Sequence, residues 1–330
     1  MCPRPFASPN DPGAGAAVPG PSLPAWPPLR RLPRLLFEPT GASDDFDGVA
    51  VDCPKVLPHR DGYLMAYAGW DGRANRIGLA WSEDLLHWRR LGLALDLGPS
   101  GEWDAGSVSG PCLCRIGGRL ALLYCGFPRI GYEAGPGRIG LAWCTKEPSA
   151  TDAGRWEKEG APLLSPEDGA AWERGGLYQS FLLEHDEEYW LFYNAKNRTE
   201  GAWHEQIGAA RSRDLKRWER AADRPVLPVS ADGWDSRFVA DPWLIRRDWG
   251  WEMHYYGFDG RRACDGVAVS TDLLHWRKHP RPLLTPGPPG SYDAKYAHKP
   301  CVVERAGTIY HFYCAVDEHH YRAIALATSP

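Results

Sequence analysis

Three ionisable residues stand where a repeating sequence fails to repeat itself. The chain carries five copies of a phrase that opens on an aromatic residue and a carboxylate. They read FDGVAVDCP (Phe46 to Pro54), WDAGSVSGP (Trp103 to Pro111), WERGGLYQS (Trp172 to Ser180), WDSRFVADP (Trp234 to Pro242) and YDAKYAHKP (Tyr292 to Pro300). Aligned, the copies bring five residue pairs into register: Asp52-Cys53, Ser109-Gly110, Tyr178-Gln179, Ala240-Asp241 and His298-Lys299. Two pairs hold a carboxylate and one a histidine. Ionisable groups that converge in a cleft are often functional. Asp52, Asp241 and His298 can supply an acid and a base to one bound molecule. Cleaving a glycosidic bond needs such a pair, one group protonating the leaving oxygen and the other activating water or attacking. The bland alternative is a satisfied polar ring in a water-filled channel.

A second candidate acid is Glu205, in the segment Trp203-His204-Glu205-Gln206 that enters a strand of the third copy. The other reading of His204 and Glu205 is an exposed surface pair, since glutamate is commonly exposed. Trp70, Phe127, Trp203 and Phe258 each fall at or just beyond the end of a second strand and offer flat apolar faces to sugar C–H groups. Ser109, Gln179, Arg76 and Lys299 add hydrogen-bonding and charged groups. Arg73, Arg76 and Lys299 can bind a charged substrate or pair with Asp52 and Asp241 and keep them ionised. The carboxylates present in every copy (Asp47, Asp104, Glu173, Asp235 and Asp293) suit a shared structural task, bonding the loop into the strand.

The elements that position these residues repeat as well. After each phrase come alternating strand-like runs with Asp-Gly or Gly-rich turns. The third runs echo one another as IGLAW, IGAARSRDLKRW and DGVAVSTDLLHW, and this pattern predicts antiparallel sheet. Repeats of this length with several strands each point to a propeller. The predicted architecture is all-β, a five-bladed β-propeller of four-stranded antiparallel blades. The first strand of each blade lines the central channel, which gathers the residue pairs into one ring. The fifth copy ends without its fourth strand. The segment PRLLFEP (Pro33 to Pro39) resembles the fourth-strand phrases APLLSP and RPLLTP, so it is expected to complete the last blade and seal the ring. Trp88, Trp156, Trp218 and Trp276 recur in register and read as packing between blades.

Composition sets the outer bounds. The 330 residues are 43% apolar and 12% aromatic, ample for a single large domain over 33–330. Residues 1–32, rich in Pro, Ala and Gly, are expected to be disordered and carry no signal-peptide pattern. A net charge of −4 without basic blocks argues against a nucleic-acid partner. No apolar run reaches the ~20 residues of a membrane span. Nine cysteines, several inside strand-like runs and with no CxxC pair, fit buried thiols in a reducing compartment, so a cytoplasmic location is expected. No cofactor is called for. Carboxylates and a histidine around a channel can hold Ca²⁺ or another divalent ion, but their spacing carries no ligand signature, and no metal site is assigned. Oligomeric state is not encoded in any of these features.

The phrases DxPKV, ADPWLI, HKPCVV, YHFYCAV and IGLAWSEDLLHW resemble those of the five-bladed propeller glycoside hydrolases, the family 43 group and its relatives, across about residues 33–330. Family 43 uses an Asp base, a second Asp that orients and tunes, and a Glu acid. The resemblance carries the two aspartates onto Asp52 and Asp241. At the aligned middle-blade position, Tyr178-Gln179 stand where the Glu is expected. An Asp, Asp and His set is more similar to the family 117 anhydrogalactosidases. By that likeness Asp52 is the base, Asp241 holds the sugar or tunes a partner, and His298 is the acid, its pKa raised by a neighbouring carboxylate. The resemblance implies a hydrolase cleaving a terminal glycosidic bond, inverting if base and acid stand ~6.5–9.5 Å apart. A phosphorylase of similar fold and a non-catalytic carbohydrate-binding propeller are the alternatives.

Overall fold

The computed structural model describes residues 23–199 and 201–330. Most of the segment expected to be disordered, residues 1–22, lies outside the described residues. Strand β1 (Arg30–Arg31) comes first in the chain, and five antiparallel groups follow. The first group contains β2 (Ala50–His59), β3 (Gly62–Trp70), β4 (Asn75–Ser82) and β5 (Arg89–Leu95). The second contains β6 (Ser107–Ile116), β7 (Arg119–Phe127), β8 (Arg138–Lys146) and β9 (Arg155–Lys158). The third is β10 (Gly176–His185), β11 (Glu188–Lys196), β12 (Glu205–Ser212) and β13 (Glu219–Arg220). The fourth is β14 (Phe238–Arg247), β15 (Gly250–Phe258), β16 (Ala263–Ser270) and β17 (Arg277–Lys278). The fifth has β18 (Tyr296–Arg305), β19 (Thr308–Val316) and β20 (Arg322–Thr328). Strands pair in chain order within each group. Among the described residues no helix is long and apolar enough to cross a membrane.

The opening phrase of each copy builds one anchor per group. Its carboxylate accepts a hydrogen bond from a second-strand tyrosine: Tyr67 to Asp47 at 2.9 Å, Tyr124 to Asp104 at 3.2 Å, Tyr193 to Glu173 at 3.1 Å, Tyr255 to Asp235 at 3.2 Å and Tyr313 to Asp293 at 3.0 Å. A cation from the fourth strand completes the pairing. Arg90 meets Asp47, Lys158 meets Asp104, Arg220 meets Glu173 and Lys278 meets Asp235, at 2.6 to 2.9 Å. Arg31 does the same for Asp293, at 2.6 Å. All five carboxylates are buried, so each needs both partners to offset lost hydration. The structural reading of these carboxylates therefore stands, with the tyrosine and the cation as their partners.

Arg31 belongs to the start of the chain yet serves the fifth group. Arg30 pairs with Thr328 and Arg31 with Ala327, and a further bridge joins Phe37 to Ile324. Phe37 there repeats the position of Leu164, Leu227 and Leu284, which bridge to Ile139, Ile207 and Asp265. The N-terminal segment thus supplies the strand that the fifth copy lacks. The pairing begins at Arg30, ahead of the Pro33 start read from PRLLFEP, because the fourth strand has two pieces, a cationic one and an apolar one. The first group also touches the fifth: Trp88 meets the edge of Phe312 at 5.9 Å, and Lys55 donates to the Pro300 carbonyl at 2.8 Å.

The in-register tryptophans pack as expected. Trp88, Trp156, Trp218 and Trp276 each donate through Nε1 to a carbonyl three residues earlier, with the rings part-buried. Eight cysteines among the described residues are free thiols, and all but Cys144 are buried.

Candidate active site

Each first strand breaks its register at the aligned pair. The irregularities fall between Asp52 and Lys55, Ser109 and Cys112, Tyr178 and Ser180, Ala240 and Trp243, and His298 and Cys301. The second residue of every pair has positive φ: Cys53 +51°, Gly110 +56°, Gln179 +33°, Asp241 +58° and Lys299 +64°. A bulge of this kind re-aims a side chain out of the sheet face. The bulged residues converge: Gln179 Nε2 donates to Cys53 Sγ at 3.3 Å, and Lys299 Nζ lies 3.4 Å from the same sulfur. Gly110 is the exception that makes room, since a Cβ there would sit 2.7 Å from Gln179 Oε1. The sequence alignment of the ring is therefore correct in register.

The roles expected around that ring change. Asp52 is buried and faces two cations, Lys299 Nζ at 2.7 Å and Arg322 Nη1 at 2.5 Å. Burial pushes its carboxyl up, but Lys299 and Arg322 outweigh this and hold it well below the usual range. Asp241 sits beneath the site, 2.6 Å from the buried Lys55 ammonium, and its carboxyl is raised by burial. Neither Arg73 nor Arg76 reaches either aspartate; Arg76 pairs with Asp71 and Asp96 at 2.6 and 2.7 Å. His298 donates from Nδ1 to the Cys314 carbonyl, 3.1 Å away. Burial first, and then Lys299, push its pKa down to about 3, the reverse of the raised value its role as acid requires. A histidine so depressed is neutral near pH 7 and has no proton to spare for a leaving group.

A cavity of about 170 Å³ opens beside this ring, lined among others by Glu133, Gln179, Lys196, Trp203, Glu205 and His298. Lys196 and Glu205 are cross-strand partners at the ends of β11 and β12. Lys196 Nζ lies 2.8 Å from Glu133 Oε2 and 3.6 Å from Glu205 Oε1. Glu205 also accepts from Trp203 Nε1 at 3.0 Å and from Asn194 Nδ2 at 3.2 Å. Asn194 in turn accepts from the Asp241 backbone N–H at 3.3 Å, tying the acid to the ring. The two glutamates titrate in opposite directions. Burial and the neighbouring Glu133 charge outweigh Lys196 and raise Glu205, whereas for Glu133 the burial penalty is overcome by Lys196 and Lys299, which lower it. One cavity thus holds a carboxyl inclined to keep its proton and a carboxylate inclined to stay charged.

The other expected contacts divide. Trp203, Gln179 and Lys299 line the cavity, with Trp203 stacked on Phe238 at 5.9 Å. Trp70 and Asp52 line a neighbouring cavity that shares Tyr132 and Arg322 with the first. Phe127 is buried against Tyr178 at 5.4 Å and is core, not a platform. Phe258 packs behind Phe238 at 5.0 Å. Ser109 is buried opposite Cys125, His204 is exposed, and Arg76 is held by its aspartates; these three line neither cavity. The carboxylates a divalent ion would need are already faced by cations: Asp52 by Lys299 and Arg322, Asp241 by Lys55, Glu133 by Lys196.

Four residues of these cavities, Glu133, Tyr132, Lys196 and Arg322, are not among those the repeat singles out. Lys196 is within its reach. It ends β11 where Trp70, Phe127 and Phe258 end β3, β7 and β15, so it breaks the repeat as Asp52 does. Arg322 likewise opens β20 where Glu205 opens β12. Glu133 lies in the irregular loop between β7 and β8, outside any repeated phrase.

No protein-family model matches the chain. A solved structure described as a glycoside hydrolase is 30% identical with a TM-score of 0.77, covering 91% of this chain and 92% of that one. The chain belongs to the β-propeller glycoside hydrolase superfamily. A second solved structure, a BT0996 complex with RGII, is 31% identical to this superfamily member over the same shares, with a TM-score of 0.78. A structure from the GH130 family, which contains mannoside phosphorylases and glycoside hydrolases that target β-1,2-mannosidic linkages, shares the fold at 16% identity and a TM-score of 0.72. It covers 92% of this chain and 95% of the other. A β-1,2-mannobiose phosphorylase of Thermoanaerobacter sp. (strain X514) is 31% identical over 135 residues, 36% of this chain. The matched stretch spans 43% of the phosphorylase, less than half its length. A Mycobacterium tuberculosis protein is 25% identical over 238 residues, 69% of this chain and 74% of its own.

Proposed function

We propose that this chain is a glycoside hydrolase that removes a terminal sugar residue, with Glu205 as acid and Glu133 as nucleophile. The observation that carries the reading is the shared Lys196 ammonium between a raised and a lowered carboxyl. Glu205 protonates the glycosidic oxygen as Glu133 attacks the anomeric carbon and forms a glycosyl ester. Glu205, now ionised, takes a proton from the water that breaks that ester. Two oxygens bound to one nitrogen cannot be further apart than the sum of 2.8 and 3.6 Å. That bound falls short of the ~6.5–9.5 Å of an inverting pair and admits the ~5–5.5 Å of a retaining one. We therefore favour retention over the inverting outcome implied by Asp52 and His298. Lys196 steadies the departing and returning charge on Glu133. Asp52 holds Lys299 and Arg322 in place at the cavity wall.

The five strand groups make the blades of a five-bladed propeller in this reading, with Arg30–Phe37 completing the last blade. A carbohydrate substrate is supported by the RGII complex of a relative, and the buried free thiols suit a cytoplasmic protein. The similarity to a mannobiose phosphorylase favours phosphorolysis as the second reading. Against it, Lys196, Lys299 and Arg322 in the cavity each already face a carboxylate, which leaves their charge offset for a phosphate dianion.

The deciding experiment is turnover of a panel of arabinosides, xylosides, galactosides, mannosides and RGII fragments, with and without phosphate, by wild type, Glu133→Gln and Glu205→Gln. Phosphate-independent release lost in both variants supports the assignment. Release that survives both removes it, and phosphate-dependent release installs the phosphorylase.

A further inference from the structure

The cavity that shares Tyr132 and Arg322 with the catalytic one is a built site in its own right. Its volume is about 320 Å³, and Val49, Asp52, Trp70, Asn75, Tyr132 and His320 are among the residues lining it. Trp70 ends β3 directly opposite Asn75, the first residue of β4. A flat indole therefore stands beside an amide. Asn75 is 2% exposed, its backbone N–H is fixed by Ser107 Oγ at 2.9 Å, and its Nδ2 has no hydrogen-bond partner. A buried donor left unpaired carries a free-energy cost that a ligand acceptor can relieve. At the mouth, Tyr132 and Val49 are large apolar side chains exposed at 48% and 53%. Tyr132 meets the edge of Trp70 at 5.9 Å and accepts from Arg322 Nη1 at 2.8 Å.

We propose that this second cavity binds the sugar on the leaving-group side of the scissile bond, and that the sugar is uncharged. The proposal rests on the reading of the Glu133–Glu205 cavity as the seat of the terminal residue. The two cavities meet at Tyr132 and Arg322, so a glycosidic bond crossing between them passes the wall that separates the sites. Trp70 offers its face to sugar C–H groups, and Asn75 donates to a hydroxyl or ring oxygen. Neutrality follows from the wall: the Asp52 carboxylate and the Arg322 guanidinium pair with each other, so neither is left to answer a sugar carboxylate.

The test is direct binding, independent of turnover. Methyl glycosides of arabinose, xylose, galactose, mannose and rhamnose, and of galacturonic and glucuronic acid, are titrated into wild type, Trp70→Ala and Asn75→Ala by saturation-transfer NMR. Circular dichroism checks that each variant is folded. The expected result is binding of a neutral glycoside that weakens about tenfold in each variant, the scale of one lost hydrogen bond or contact face. Binding of none of the probes, binding indifferent to both substitutions, or binding of the uronides alone overturns the proposal. A disaccharide assay separates it from the catalytic reading. If Glu133→Gln and Glu205→Gln leave turnover intact while Trp70→Ala still weakens binding, the catalytic assignment has failed and the sugar site stands.

Discussion

Glu133 and Glu205 share one ammonium, that of Lys196, although one comes from the loop after β7 and the other from the first residue of β12. Two carboxyls drawn to one cation are brought close enough to repel, and repulsion together with burial drives their proton affinities apart. The cation settles which one stays charged, because it lies 2.8 Å from Glu133 and 3.6 Å from Glu205. An acid and a nucleophile result from two residues of the same type.

Removing either carboxyl should stop turnover by different routes. Glu133→Gln and Glu205→Gln are each expected to lower kcat/KM by a factor of about 10² to 10⁴, the usual scale for an acid or base in the transition state. Azide should restore turnover to Glu205→Ala on an activated aryl glycoside and give a glycosyl azide of retained configuration, read by NMR. An azide of inverted configuration would instead place water or azide, not Glu133, at the anomeric carbon.

The pH profile should answer to Lys196. In wild type the acid limb of kcat/KM belongs to the lowered Glu133 and the alkaline limb to the raised Glu205. Lys196 favours the ionised form of both. Lys196→Met therefore raises both, and both limbs should move to higher pH in steady-state rates measured from acid to alkaline buffers. Unmoved limbs would mean that other groups set the profile.

The fifth group depends on a cation from the far end of the chain. Arg31→Ala leaves the fully buried Asp293 with Tyr313 alone. A charged hydrogen bond lost at a buried carboxylate is expected to cost about 1.5–3 kcal/mol, seen as a lower urea midpoint. Deleting residues through Phe37 should cost more, since it also removes the Arg30 and Phe37 pairings with β20.

One buried carboxyl carries a stability signature. Asp265 stands where Ile139 and Ile207 stand in other groups, bonded to His311 Nε2 at 2.8 Å. Burial raises its pKa from 3.8 to about 6, against the pull of His311. A folded state that holds a proton more tightly than the unfolded chain loses stability as pH rises between those two values. Asp265→Asn should abolish that decline while keeping an acceptor for His311. Urea midpoints of the two proteins should thus converge at the acid end of the window and diverge, with the variant the more stable, above it.

Much of this molecule is legible in its sequence because repetition is informative. Five phrases in register mark the five strand groups, the bulged ring and the strand borrowed from the N-terminus. The recurring carboxylates read correctly as structural, though their tyrosine and cation partners needed the fold. Asp52, Asp241 and His298 emerge by asking which residues break the repeat. The same question asked of the second and third strands finds Lys196 and Arg322. Glu133 has no copy to be compared with, and its loop carries no periodic signal.

What the sequence alone determined is the set of positions that face the ring, since alternation and bulge placement follow from local pattern. What only the tertiary structure decided is the charge state and role of each residue there. A pKa depends on neighbours distant in the chain and on how much water is excluded. Asp52 gained two cations, Arg322 among them from the last strand, and His298 lost its proton to burial and Lys299. Glu205, which sequence left between acid and surface residue, became a buried acid because Glu133 and Lys196 were folded against it.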